Sequence, residues 1–145
     1  MESDENILIS LEPRHAENIL SGLKRVELRR RAMNVEPGSI VWIYAKRPVG
    51  SIIGRATVAK LHVLAPSRLW KDFGAVSGIS KAEFFAYFSD RTQGLALELT
   101  NCQRLAKSFD LQALRRVSRQ FQPPQFFSRL KQGPLLSAIS CVQVI

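Results

Sequence analysis

The chain has 145 residues, 46% hydrophobic and 23% charged, a composition that closes one sizeable core and excludes a disordered or low-complexity protein. Twenty-one Lys and Arg against twelve Asp and Glu give a formal charge of +9, which directs attention to polyanionic partners. No run approaches the roughly 18 apolar residues that cross a bilayer, and Cys102 and Cys141 are too few for a disulfide framework and lack metal-ligand spacing. The expectation is a single domain over residues 1–145, flexible at residues 1–5, cytoplasmic, with no signal peptide, membrane segment, metal or cofactor.

In chain order, ILISL at 7–11 reads as a strand. Pro13 suits the first turn of a helix, Ala16, Ile19, Leu20 and Leu23 recur at helical spacing, and Gly22 stops it, with Arg14, Glu17 and Asn18 on the exposed face. KRVELRR has period two: Val26 and Leu28 point one way, Arg25, Glu27 and Arg29 the other. EPGS at 36–39 is a turn, SIVWIYA a strand, and KRPVGS a second turn. SIIGRATVAKLHVL reads as a long strand in which Gly54 marks a bulge or a close approach.

SRLWKDFG and SKAEFFAYF have helical spacing, the second opened by Ser80 with Glu83 three residues on. GLALELTNCQRL returns to strand, and FDLQALRRV reads as a helical turn capped by Asp110. PPQFFSRL predicts a helix after the double proline, and LSAISCVQVI a closing strand. Both cysteines then fall in apolar strands as small buried hydrophobes. The pattern predicts an α+β fold: a small, mostly antiparallel barrel-like sheet flanked by short helices, with no βαβ repeat.

The run ILISLEPRHAENILSGLKRVELRRR resembles the opening of ASCH domains, the activating-signal-cointegrator homology branch of the PUA-like superfamily. Those begin with a strand, a helix ending in Gly, and a Lys-x-x-(Glu or Thr)-x-Arg strand, here Lys24, Glu27 and Arg29. SIVWIYA, GISKAEFFAYFSDRTQGLALEL and FQPPQFFSRL extend the likeness over about residues 6 to 130. The resemblance implies a PUA-like β-barrel with a cleft between the first helix and the barrel. It also implies RNA binding, ribonuclease activity in some small bacterial members, and in one branch amide hydrolysis of acetylated cytidine. That branch uses a Lys, a Thr three residues on and a later Glu. Lys24 matches the first, but Glu27 stands in the Thr position and no carboxylate lies near Val76 and Ser77, so this chemistry is not carried over.

The candidate nucleic-acid contacts are Lys24, Arg29 and Arg30 for phosphate, Glu27 for a base amino group or to orient Arg29, and Tyr44 to stack at the cleft rim. Lys46 and Arg47 beside Tyr44, and Gln125 in the Pro-Pro-Gln segment, complete the set. If the protein is an enzyme, Lys24 and Glu27 are the acid–base candidates, Lys24 with a pKa lowered by neighbouring arginines. His15 reads as a helix-surface residue, His62 as structural, and Trp42, Trp70 and the phenylalanines as core, with Tyr87 a weaker stacking candidate. Arg104, Lys107, Arg115, Arg116, Arg119, Arg129 and Lys131, with only Asp110 among them as an acid, form a second basic cluster. The leading expectation is RNA or single-stranded nucleic-acid binding, and the alternative is a metal-independent ribonuclease or a modified-nucleoside hydrolase in the same cleft.

Overall fold

The computed structural model describes residues 5–145. Strand β1 (Asn6–Leu11) leads through Glu12 into helix α1 (Pro13–Ser21), followed by β2 (Val26–Arg29), β3 (Ile40–Ala45) and the long β4 (Ser51–Leu64). Two helices, α2 (Pro66–Phe73) and α3 (Lys81–Tyr87), precede β5 (Gly94–Asp110), and α4 (Leu111–Val117), β6 (Phe127–Leu130) and α5 (Pro134–Ser140) complete the chain. The strands form one sheet in the order β2-β5-β4-β3-β1-β6. β1 and β3 run parallel and every other pair is antiparallel. The expected α+β, mostly antiparallel architecture is therefore present, as an open half-barrel whose edges are β2 and β6.

Curvature comes from the β4–β5 pair, whose register shifts at three places, as extra residues bend and twist a strand. Gly54 sits at one of them. A Cβ there would lie 2.5 Å from a Leu20 methyl and 2.8 Å from the Gln103 carbonyl oxygen, so the glycine lets α1 lie against the sheet. Ile7, Ile9, Ile19, Ile43 and Leu97 pack in the core beneath α1. A second cluster around Trp42, Ile52, Leu114 and Ile139 holds α4 and α5, and a third around Leu69, Phe84 and Phe88 holds α2 and α3.

The C-terminal third departs from its sequence pattern. PPQFFSRL is not a helix: Phe127–Leu130 pairs with β1 and completes the sheet edge, a gain in backbone pairing that outweighs local helical spacing. LSAIS is not a strand: Pro134 occupies the first helical turn, and Leu136 and Ile139, three apart, bury one helical face. Only Leu105 and Val144 form a β-bridge there. Cys141 accordingly follows a helix and is exposed, whereas Cys102 is half-buried in β5, its thiol pKa pushed up by burial. Leu23, read as part of the α1 apolar stripe, lies beyond the Gly22 cap and is 68% exposed.

Candidate nucleic-acid interface

Gly22 ends α1 with a φ of 88°, and the chain doubles back so that the Lys24 amide donates to the Asn18 carbonyl at 2.9 Å. Lys24 thereby enters the cleft between α1, β2 and α3. The α2–α3 connection closes over it: Gly78 has a φ of +74°, and a Cβ there would stand 3.2 Å from that of Lys24. Ser77 offers its carbonyl to Lys24 Nζ at 2.5 Å. Glu27 completes a chain of charges, with Oε1 3.9 Å from Lys24 Nζ and Oε2 3.0 Å from Arg29 Nη2. Lys24 and Glu27 are 2% and 6% exposed.

The period-two pattern assigned Glu27 to a polar, outward face. Its face is polar, but the helices cover it. Lys24 has its pKa lowered chiefly by burial, with Glu27 opposing and Arg14 and Arg29 adding to the fall, so desolvation and not like charge is the main cause. Lys24 is also no free phosphate ligand, since its ammonium is buried on Ser77 and Glu27.

His15 lines the same cleft, which corrects its reading as a helix-surface residue. Burial, then Lys24, lowers its pKa, against the pull of Glu27, and its Nδ1 finds no hydrogen-bond partner among the described residues. Arg14 on α1 and Glu83 on α3 pair at 2.5 Å across the cleft. This central hollow is about 560 Å³. Its basic side chains, Arg14, Lys24, Arg29 and Lys46, are nearly matched by Glu12, Glu27 and Glu83.

Two further hollows adjoin it. One, about 660 Å³, shares Ser10 and Lys46 with the centre and adds Tyr44, Arg47, Arg115 and Gln125. The other, about 640 Å³, shares Arg29 and Tyr87 with the centre and adds Arg30, Arg31, Asp90 and Arg91. Phe126 lines both outer hollows. The first outer hollow has three cations and no acid, the second four cations and one acid. Positive charge is thus concentrated on the flanks, with a charge-balanced polar centre between them.

All eight sequence-selected contacts line one of these hollows: Lys24, Glu27 and Arg29 the centre, Tyr44, Lys46, Arg47 and Gln125 one flank, and Arg30 the other. Tyr44 does not present a free ring. It is 3% exposed and packed with Leu8, Trp42 and Ile52, so it cannot stack on a base. The most exposed aromatic among the described residues is Phe126, 66% accessible against 38% for Tyr87, hidden in the sequence by the helical reading of PPQFF. Tyr87 lines two hollows, and its hydroxyl donates to the Leu28 carbonyl at 3.3 Å.

His62 is structural as expected, its Nε2 2.8 Å from Glu98 Oε2 and its ring on Phe73. The second basic cluster is partly neutralised. Arg104 pairs with Glu17 and Arg129 with Glu5, while Arg115 faces a hollow and donates to the Phe121 carbonyl. No cluster of three or more His, Cys, Asp or Glu suited to a metal occurs among the described residues.

The ASCH domain family model matches residues 9–109. A Zymomonas mobilis protein named an ASCH domain-containing ribonuclease is 34% identical over 133 residues, 92% of this chain and 89% of its own length. The crystal structure of ASCH from Zymomonas mobilis superposes with a TM-score of 0.89 at 31% identity, covering 95% of this chain and 96% of that one. Human THYN1 in complex with 5-methylcytosine-containing DNA gives a TM-score of 0.55 at 11% identity over 94% and 96% of the two chains, a likeness of fold alone.

Proposed function

The chain belongs to the ASCH domain family, and we propose that it binds RNA in single-stranded form along the three adjoining hollows. The observation that carries this reading is the charge arrangement: two cationic flanks joined through a polar, nearly balanced centre. Phosphates repeat along a strand while bases vary, so cations on both sides of a polar centre suit a strand laid across it. Lys46, Arg47 and Arg115 take phosphates on one side, Arg29 and Arg30 on the other. Glu27 holds the Arg29 guanidinium through one carboxylate oxygen, and Gln125 offers both a donor and an acceptor to a base edge. In fluorescence anisotropy with a labelled single-stranded RNA, Arg30→Ala/Lys46→Ala/Arg47→Ala weakens binding by about tenfold or more. Unchanged affinity in the folded variant overturns the reading.

A second reading, cleavage of the bound strand by its own 2′-hydroxyl, is favoured by His15 lining the same central hollow as Arg29. Its lowered pKa leaves the imidazole neutral near pH 7, the form in which it accepts a proton. In this reading a ribose 2′-hydroxyl gives its proton to His15 as its oxygen attacks phosphorus. The bond from phosphorus to the 5′-oxygen breaks, that oxygen takes up the proton now carried by the His15 imidazolium, and Arg29 stabilises the phosphoryl charge while the buried Lys24 ammonium stays on Ser77 and Glu27. RNA incubated in EDTA is then cut by the native protein and about 10²-fold more slowly by His15→Asn. Undiminished cleavage in that variant eliminates His15 as the group that moves the proton.

A further inference from the structure

The outer hollow between the β2–β3 connection and the α3–β5 turn differs from a surface that follows a phosphodiester backbone. It gathers four guanidinium groups within one concavity of about 640 Å³, a size that houses one nucleotide. Asp90 is its one acid, and it is already committed to Arg30 by an ion pair. Arg31 and Arg91, both exposed, make no side-chain hydrogen bond among the described residues. Arg29 enters from the central cleft with one nitrogen on Glu27, while its buried Nε finds no partner there. The hollow therefore offers more hydrogen-bond donors and more positive charge than a phosphodiester, with its single negative charge, can satisfy. A terminal phosphate monoester carries about −1.5 to −2 at pH 7 and three acceptor oxygens. Phe126, 66% exposed, and Tyr87 also line the hollow and present aromatic surface at which a base can stack.

We propose that this hollow is an end-anchoring pocket for a nucleoside monophosphate, phosphate on the arginines and base on Phe126, either as a free mononucleotide or as the phosphorylated terminus of an RNA strand. The terminal-RNA form rests on the RNA-binding reading above, whereas the mononucleotide form does not. It makes the protein a discriminator of strand ends: RNA with a terminal phosphate is held at one flank while the remainder crosses the central cleft.

Titration with AMP and adenosine, and with one RNA oligonucleotide bearing a 5′-phosphate, a 3′-phosphate or only hydroxyl ends, separates the sources. AMP binding without adenosine binding supports the pocket for free nucleotides. A preference of about tenfold for either phosphorylated oligonucleotide over the hydroxyl-ended one supports it for RNA ends. Arg31→Ala/Arg91→Ala, at exposed positions outside the core, abolishes whichever phosphate preference is seen, and Phe126→Ala weakens binding of the same ligand. Equal affinity for all three oligonucleotides together with no AMP binding overturns the proposal. Hydroxyl-ended RNA that still binds in a Lys46- and Arg47-dependent manner then leaves the RNA-binding reading standing, whereas AMP binding without any RNA binding does the reverse.

Discussion

Glu27 sits between two cations, one of them buried: Lys24 lies 3.9 Å away and Arg29 3.0 Å away. Removing it leaves the Lys24 ammonium in a desolvated place with only the Ser77 carbonyl. Glu27→Ala is expected to cost about 3–5 kcal/mol, read as a lower urea midpoint at unchanged m-value. Glu27→Gln, which keeps hydrogen bonding, costs less. His15 makes a pH prediction. The folded chain protonates it less readily than the unfolded chain does, so between its depressed pKa and the usual value of about 6.5 the unfolded state binds more protons. Stability therefore rises with pH across that window and is lowest below it, where the fold must carry a half-buried charge. His15→Gln flattens this rise in urea titrations across that pH range, and a slope that persists in the variant assigns it elsewhere. Glu27 and Arg29 were legible in the sequence as one face of a period-two strand, and Lys24 joined them through the likeness to the ASCH strand motif. The burial of Lys24 was not, because it depends on Ser77, 53 residues away.

The elements most legible in the sequence were those whose local pattern agrees with their tertiary place. Ser80 and Asp110 cap α3 and α4 as their spacing suggests, their side chains accepting from the amides of Glu83 and Ala113. The Ser80–Glu83 box is only half formed, since the Glu83 carboxylate turns to Arg14 instead. Gly54 was read as a bulge or close approach and is both. Gly54→Ala is expected to cost about 1–3 kcal/mol. The Gln103 carbonyl it meets is backbone in the paired strand, so trimming Leu20 as well does not restore stability; full rescue by Leu20→Ala would show that the methyl contact alone matters. β6 and α5 were misread because each is decided by what it covers. β6 gains a partner only when β1 is in place, and α5 gains its apolar face only over Leu8, Trp42 and Leu114. Misreading PPQFF also concealed Phe126, whose placement follows from the start of β6.

Across the whole molecule, a formal charge of +9 says only that polyanions are attracted. The fold converts that field into a pattern. Acids take up cations elsewhere, Arg14 by Glu83 in the centre and Arg104 by Glu17 and Arg129 by Glu5 away from it, and leave the outer hollows with the uncompensated charge. The excess is therefore local, and a local excess binds a strand at defined phosphates instead of over a diffuse surface. The most direct test is the salt dependence of single-stranded RNA binding for the native protein and for Arg30→Ala/Lys46→Ala/Arg47→Ala. Each phosphate contact contributes about 0.7 to the log–log slope, so three lost contacts flatten it by about 2. A slope unchanged by these substitutions, with RNA still bound, contradicts the assignment of the strand to these hollows.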